Sequence, residues 1–459
     1  MTIAAHTLGC KLNFAETSDT LRRLAAQGHT IVDWNSLADL YLINTCTVTA
    51  VAEKKCRNAI RQAHRLNPDA QIVVMGCFAQ VAAADIEQIP GVTLVLGNDR
   101  KHLLPVIVEG GEWRVESTRG QINPDSKRIS KIYTAPDGQQ TDAPTDFQDL
   151  QDLTMRETWG EMPDFPLQYS SGDRTRTFFK IQDGCDYFCT YCAIPFARGR
   201  SRSATIEETL CAARRIADSG AREVVLTGVN TGTFGQHQGE SFLDLLRGLD
   251  AIEGILRYRI SSIEPNLLTD EIIDFVAQSR AFLPHFHIPL QAGSDHVLQL
   301  MHRRYDTALY RAKLERIKSA MPDACIAADI MAGFNGESEE EFSKTLDFVG
   351  SLPISYLHVF TYSDRPGTAA LRLGEKVPVA VRHEHTARLL KLSEQKHLVF
   401  IQSQLGLTRP VLWESSNHDG QIQGWTDNYI RVARPYDPSR VNRVEPVTLT
   451  PDIIVRESL

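Results

Sequence analysis

One short segment constrains this chain more than any other. Gly184-Cys185-Asp186-Tyr187-Phe188-Cys189-Thr190-Tyr191-Cys192 carries three cysteines as C-x3-C-x-aromatic-C, directly after a predicted strand over residues 177–182. Three thiolates at this spacing can wrap one corner of a cubane iron–sulfur cluster and leave the fourth iron without a protein ligand. An open iron can chelate a small molecule, so such a cluster is a reaction centre rather than a plain electron store. A ferredoxin-type site closes with a fourth cysteine, and none follows soon after Cys192. A structural zinc site would want paired C-x2-C units or histidine partners; the segment has neither.

The length of 459 residues implies two or three domains. No apolar run approaches the roughly 18 residues that a membrane span needs. Residues 1–13 lack a basic region followed by an apolar stretch, so no secretory signal is expected. Nine cysteines, an odd number, point to a reducing, cytoplasmic compartment and to metal or thiol chemistry rather than a disulfide framework. The net charge of −8 does not by itself suggest a nucleic-acid binder; local basic clusters must carry that argument.

Short apolar runs alternate with helical patterns in the first hundred residues. Strands are predicted at 3–8, 40–44, 71–76 and 92–96, and helices at 15–27 and 50–66. Such alternation implies a parallel α/β sheet. Cys10, Cys46 and Cys77 each fall just past one of these strands. All strand carboxyl ends of a parallel sheet emerge on one edge, where ligands bind, so these cysteines are expected to converge as a second three-cysteine cluster site.

Periodicity decays over residues 112–175, which read as a linker with a short hairpin near residues 113–115. It returns as about six strand–helix units over residues 176–403, too few for a closed eight-fold barrel but enough for a partial one. A long helix is predicted over 379–402. Beyond Gly406, short β-like runs punctuated by Asn417, Gly420, Asp427 and Pro438 read as a small all-β barrel spanning 404–459. The fold class is therefore α/β, with an N-terminal parallel α/β domain over 1–111, a central partial (β/α)6 barrel and a C-terminal β-barrel.

With both cysteine sets in hand, the chain resembles the radical S-adenosylmethionine (SAM) methylthiotransferase family along essentially its whole length. The matching strings are Thr7-Leu8-Gly9-Cys10-Lys11-Leu12-Asn13, Asn44-Thr45-Cys46-Thr47-Val48-Thr49, Gly76-Cys77-Phe78-Ala79-Gln80 and the segment from Cys185 to Ser203. Ser262-Ile263-Glu264-Pro265, Pro289-Leu290-Gln291-Ala292-Gly293-Ser294 and Tyr362-Ser363-Asp364-Arg365-Pro366-Gly367-Thr368 match as well. The C-terminal barrel is similar to a TRAM domain. The strings around Cys10, Cys46 and Ala197 to Ser203 look most like the branch acting on threonylcarbamoyladenosine in tRNA. Related branches act on isopentenyladenosine in tRNA and on an aspartate of a ribosomal protein. The chain departs from the family pattern at Asn335, where Pro is usual, and at Ala292, where Ser is common.

The resemblance implies two [4Fe–4S] clusters and SAM. The cluster on Cys185, Cys189 and Cys192 would pass an electron to chelated SAM, releasing methionine and a 5′-deoxyadenosyl radical that removes hydrogen from the substrate carbon. The cluster on Cys10, Cys46 and Cys77 would present methylated sulfur. Tyr191 would lie beside the adenine of SAM. Asn230, Glu264 and Gln291 follow barrel strands and are candidate cofactor contacts, with satisfied core polars or a Gly/Asn turn as the plain alternative. Cys56, Cys211 and Cys325 lack such spacing and are expected to be core thiols.

Several groups are expected to meet RNA. Lys54, Lys55, Arg57, Arg61 and Arg65 run along one helix, for which a solvated face is the plain alternative. Arg198, Arg200 and Arg202 follow the cluster loop. Trp425, Tyr429, Arg431, Arg434 and Tyr436 combine rings and guanidinium groups suited to unpaired bases, unless the rings fill the small barrel's core. The expected partners are a tRNA anticodon loop, an electron donor such as flavodoxin or ferredoxin, and a sulfur donor, with no membrane. A rival of another class is a non-catalytic iron–sulfur electron carrier with an RNA-binding tail.

Overall fold

The computed structural model describes residues 1–110, 165–172 and 174–455. The expected hairpin near residues 113–115 lies outside the described residues. Five strands open the chain: β1 (Thr2–Thr7), β2 (Thr30–Val32), β3 (Leu40–Thr45), β4 (Gln71–Gly76) and β5 (Val92–Leu96). They form one parallel sheet in the order β2-β1-β3-β4-β5. The sequence pattern misses β2 because it is a three-residue edge strand, exposed over its first two residues. Every residue of β3 is buried, as expected of a central strand covered on both faces.

Six parallel strands make the central domain: β7 (Arg176–Lys180), β10 (Glu223–Thr227), β11 (Arg257–Ile260), β12 (His285–His287), β13 (Cys325–Ala332) and β14 (Tyr356–Thr361). Tyr258 of β11 forms a parallel bridge with Phe282, just before β12, which joins two three-strand runs into one open barrel. The short β6 (Gln168–Tyr169) pairs antiparallel with β7. Residues that read as the end of a linker therefore belong to the barrel sheet. β8 (Gln182–Asp183) and β9 (Arg202–Ser203) form a two-strand clasp around the cluster loop.

The outer helices begin where cap chemistry places them. Thr205, Ser241, Thr269 and Ser338 each accept a hydrogen bond from the backbone N–H three residues on, satisfying one of the helix's orphan donors. Thr205 and Glu208 complete a reciprocal capping box. Asn335, one of the departures from the family pattern, is fully buried and donates to the Ala370 carbonyl at 2.8 Å. It stitches the barrel to the segment after β14.

The last domain is an antiparallel sheet of β15 (Thr408–His418), β16 (Gln421–Thr426), β17 (Arg431–Pro435) and β18 (Val444–Thr448), ordered β17-β16-β15-β18. Ile454 bridges back to Val432, so the chain beyond β18 closes the ring. Val411, Trp413, Ile422, Val432 and Val447 fill it.

Buried ion networks lock the domains together. Glu16 of the first domain meets Lys180 at 3.0 Å and Arg198 at 3.2 Å, both from the barrel, and also pairs with Lys101. Arg198 reaches Asp183 at 2.8 Å. On the other side, Glu223 holds Arg257 and Arg259 at 2.7 Å each. Those guanidinium groups donate to the carbonyls of Trp425, Thr426 and Asp427 in the C-terminal domain.

Candidate functional site

Cys185, Cys189 and Cys192 lie on the loop between β8 and the helix Ile194–Arg198. Its entry requires glycine. Gly184 has φ +67°, and a Cβ there would sit 1.9 Å from the Arg200 carbonyl oxygen. The Cys185 N–H donates to Gly199 at 3.0 Å and that of Cys192 to Cys189 at 2.9 Å, which folds the loop back on itself.

The three thiols face a cavity of about 280 Å³ at the carboxyl ends of the barrel strands. Tyr191, Asn230, Glu264 and Gln291, the four expected cofactor contacts, all line it. Asn230 is buried and neither atom of its amide has a hydrogen-bond partner, although buried polar groups are nearly always paired. Gln291 holds φ +67°, an uncommon state for a side chain of its size. Burial pushes the Glu264 carboxyl up, and the Arg303 guanidinium opposes the shift.

Arg303 carries no motif signal, since no spacing ties it to the cysteines. It donates to Cys189 Sγ at 3.0 Å and to Tyr191 Oη at 3.3 Å, and pairs with Glu264. Burial pushes the Cys192 thiol up to about 12. Such a thiol surrenders its proton to a bound metal rather than to water.

The second cysteine set converges as the topology predicts. Cys10 caps the helix Lys11–Ala26 after β1, Cys46 follows β3, and Cys77 starts the helix Cys77–Val81 after β4. A Cβ at Gly9 would lie 2.8 Å from Cys46 Cβ and 3.1 Å from its Sγ, so the β1 turn closes directly onto Cys46. The Cys46 thiol is pushed up to about 12, chiefly by burial, and then by Cys77 and Cys10. Asn98 donates to Cys77 Sγ at 3.4 Å and to the Ala197 carbonyl at 2.7 Å, tying this edge to the barrel. Cys56 is buried behind the set and donates to the Cys46 carbonyl at 3.6 Å.

Among the described residues, His287, Asp329 and His358 form a set whose ligand atoms all lie within 4.8 Å of one another. Three thiols beside the unpaired Asn230 amide suit a cluster with an open iron and a chelated amino-acid ligand, and the mutually close thiols of Cys10, Cys46 and Cys77 are the soft donors that a second cluster needs.

A second cavity, of about 320 Å³, opens beside Cys10 and is lined by residues of all three domains, among them Lys11, Arg176, His285, His287 and Tyr429. His287 bonds Asp329 at 2.7 Å, and Asp329 faces the first cavity, so this pair forms part of the wall between them. Thr47, Val48 and Thr49 of the first domain reach over the first cavity. Arg365 fastens that loop through Glu53 at 2.6 Å and the Thr47 carbonyl at 3.3 Å.

The expected RNA contacts fare differently. Arg198 is 1% exposed and spent on Glu16 and Asp183, so it is no RNA ligand; a buried guanidinium with two carboxylate partners cannot reach phosphate. Arg202 is turned to Asp183 as well, whereas Arg200 is exposed. Trp425 is buried and stacks on Tyr429 at 4.4 Å, with Arg176 and Arg431 set against its ring, so it is not open to a base. Tyr429 faces inward, into the second cavity. Arg434 lies over Trp413 of its own domain. Lys54, Lys55, Arg61 and Arg65 remain exposed.

Residues 2–97 match the family described as uncharacterized protein family UPF0004, and residues 179–349 match the radical SAM superfamily. The threonylcarbamoyladenosine tRNA methylthiotransferase MtaB of Bacillus subtilis is 38% identical, over 94% of this chain and 90% of its own length. The tRNA-2-methylthio-N(6)-dimethylallyladenosine synthase of Pelotomaculum thermopropionicum is 31% identical, over 96% and 93%. Among solved structures, the radical S-adenosylmethionine methyltransferase TsrM of Kitasatospora setae aligns with a TM-score of 0.51 at 16% identity, covering 80% of this chain and 76% of that one. That likeness is one of fold.

Proposed function

The chain belongs to the radical-SAM methylthiotransferase family, and from that premise we propose that it places a methylthio group on C2 of N6-threonylcarbamoyladenosine at position 37 of tRNA, beside the anticodon. As a radical-SAM enzyme it uses SAM and a [4Fe–4S] cluster. We further assign that cluster to Cys185, Cys189 and Cys192, and a second [4Fe–4S] cluster to Cys10, Cys46 and Cys77. The observation that carries the assignment is the pair of adjoining cavities, each lined by cysteine of a different triplet.

When bound, the clusters and SAM supply the homolytic and sulfur-transfer chemistry that no acid or base side chain offers at an unactivated adenine C2. The side chains position and shield. Arg303 orients Cys189, Tyr191 and Glu264 at once. Asn230 offers an unpaired amide to the polar end of an amino-acid ligand. Thr47, Val48 and Thr49 exclude water from above. The cavity beside Cys10 receives the substrate base, and an anticodon-loop base suits an interior site because it can be splayed out of its strand. An electron donor such as flavodoxin or ferredoxin and a donor of sulfur complete the cycle.

Nucleoside mass spectrometry of tRNA from a strain lacking this protein tests the substrate. The methylthio-threonylcarbamoyl nucleoside should vanish and return on complementation, with the methylthio-isopentenyl nucleoside unchanged. Persistence of the former in the deletion strain would overturn the assignment.

A further inference from the structure

We propose that the cavity between Cys10 and Tyr429 is a carboxylate-binding site, in which Lys11, assisted by Arg174, holds the threonyl carboxylate of the substrate's N6 substituent. The inference rests on the substrate proposed above and names the residues that would select it.

Charge comes first. Lys11, Arg174, Arg176 and Arg259 all line this cavity. Two of these cations already have carboxylate partners, Arg259 in Glu223 and Arg176 in Glu414 at 3.0 Å, while Asp329 is held by His287. Arg259 also spends its remaining donors on the carbonyls of Thr426 and Asp427. Among the described residues, neither Lys11 nor Arg174 has a carboxylate partner. The cavity therefore holds a surplus of positive charge, and a bound anion relieves it.

Shape and polarity agree. His285 is 7% exposed, lines the cavity, and has no partner on either ring nitrogen. Burial and the neighbouring Arg259 and Lys11 keep it neutral, so it offers one donor and one acceptor. That pair suits the hydroxyl and carbamoyl groups of a threonylcarbamoyl substituent. Tyr429 holds φ +67°, a genuine outlier for an aromatic residue. Its ring is clamped between His285 at 4.3 Å and Trp425 at 4.4 Å. Strained residues fixed this way cluster at ligand clamps. Phe14 and Phe178, edge to face at 5.6 Å, give an apolar wall beside the cations. An isopentenyl group in the same place would strip water from Lys11 and give it no counter-charge, so the site rejects that substituent as well as welcoming the other.

The test is competition binding to the cluster-reconstituted enzyme. The probes are anticodon stem-loop RNAs carrying threonylcarbamoyladenosine or its methyl ester at position 37. The wild type should prefer the free acid by about tenfold or more, the scale of a hydrogen-bonded charge. Lys11→Met should remove most of that preference while holding the ester RNA within about twofold of wild type, and Lys11→Arg should restore it. Iron content serves as the control that Cys10 is undisturbed. Equal wild-type affinity for acid and ester would overturn the site, as would a Lys11→Met variant that keeps the wild-type ratio or weakens both RNAs alike. Product analysis with SAM and reductant separates the two claims. Equal wild-type turnover of ester and acid RNAs at subsaturating concentration overturns the carboxylate site alone, whereas no methylthio product from the acid RNA overturns the substrate assignment beneath it.

Discussion

Arg303 donates from Nη1 to Cys189 Sγ at 3.0 Å while its other terminal nitrogen pairs with Glu264. One guanidinium thus ties a proposed cluster ligand to a proposed cofactor contact. Hydrogen bonds and charge near cluster sulfurs set reduction potential. Arg303→Gln removes a cation and weakens an N–H···S bond, so the cluster should become harder to reduce. The expected shift is on the order of 40 mV, the equivalent of about 1 kcal/mol for a one-electron couple. A redox titration followed by electron paramagnetic resonance, on protein lacking the second cysteine set, reads it directly.

Arg198 is a structural tie between domains rather than an RNA ligand. Arg198→Met leaves Glu16 and Asp183 short of a buried partner, a change that costs about 3–5 kcal/mol where no other cation compensates. Lys101 and Lys180 remain beside Glu16, so the lower end is expected. Thermal unfolding should show the loss. The salt dependence of tRNA binding should not change, whereas a lost phosphate contact would lower its slope by about one.

Acid should weaken the inter-domain contacts. The Arg257 and Arg259 guanidinium groups overcome the cost of burying Glu223 and bring its carboxyl down to about 2. Asp183 lies well below the carboxylate range because Arg198 and Lys180 overcome its burial. A carboxyl depressed in the folded state stabilises above its unfolded value and loses that contribution as pH falls toward its folded one. Stability should therefore hold near neutrality and drop between about pH 4.5 and pH 2. Glu223→Gln, with its lower starting stability, should flatten that limb in chemical unfolding at fixed ionic strength.

Cys46 and Cys56 are neighbours with opposite roles. Cys56→Ala removes a buried thiol that packs behind Cys46; it should retain full iron and cost about 1–2 kcal/mol of stability. Cys46→Ala should lose about half of the iron. Iron assay and the visible absorption of the two variants, prepared side by side, distinguish them.

Much of this site is legible in the sequence because local rules fix it. A cysteine at the end of a parallel strand must emerge on the shared edge, which is why Cys10, Cys46 and Cys77 meet although far apart in the chain. The same rule places Asn230, Glu264 and Gln291 around the first cavity. Arg198 misleads because its basic neighbourhood is local, whereas its partner Glu16 lies 182 positions away. No pattern announces that the fold brings a buried carboxylate to it. Trp425 and Tyr429 mislead likewise: aromatic and basic residues side by side describe a base-binding surface equally well as a stack between two domains. Arg303 escapes because its cysteine contact spans 114 positions with no motif between.

The most direct test is the iron and acid-labile sulfide content of anaerobically reconstituted protein, with each cysteine triplet replaced in turn by alanine. Two cubanes predict about eight irons and eight sulfides per chain, and about half of each in either triple variant. A preparation holding a lone zinc, or a single cluster that survives replacement of Cys10, Cys46 and Cys77 without loss, would contradict the proposed pair of open cluster sites.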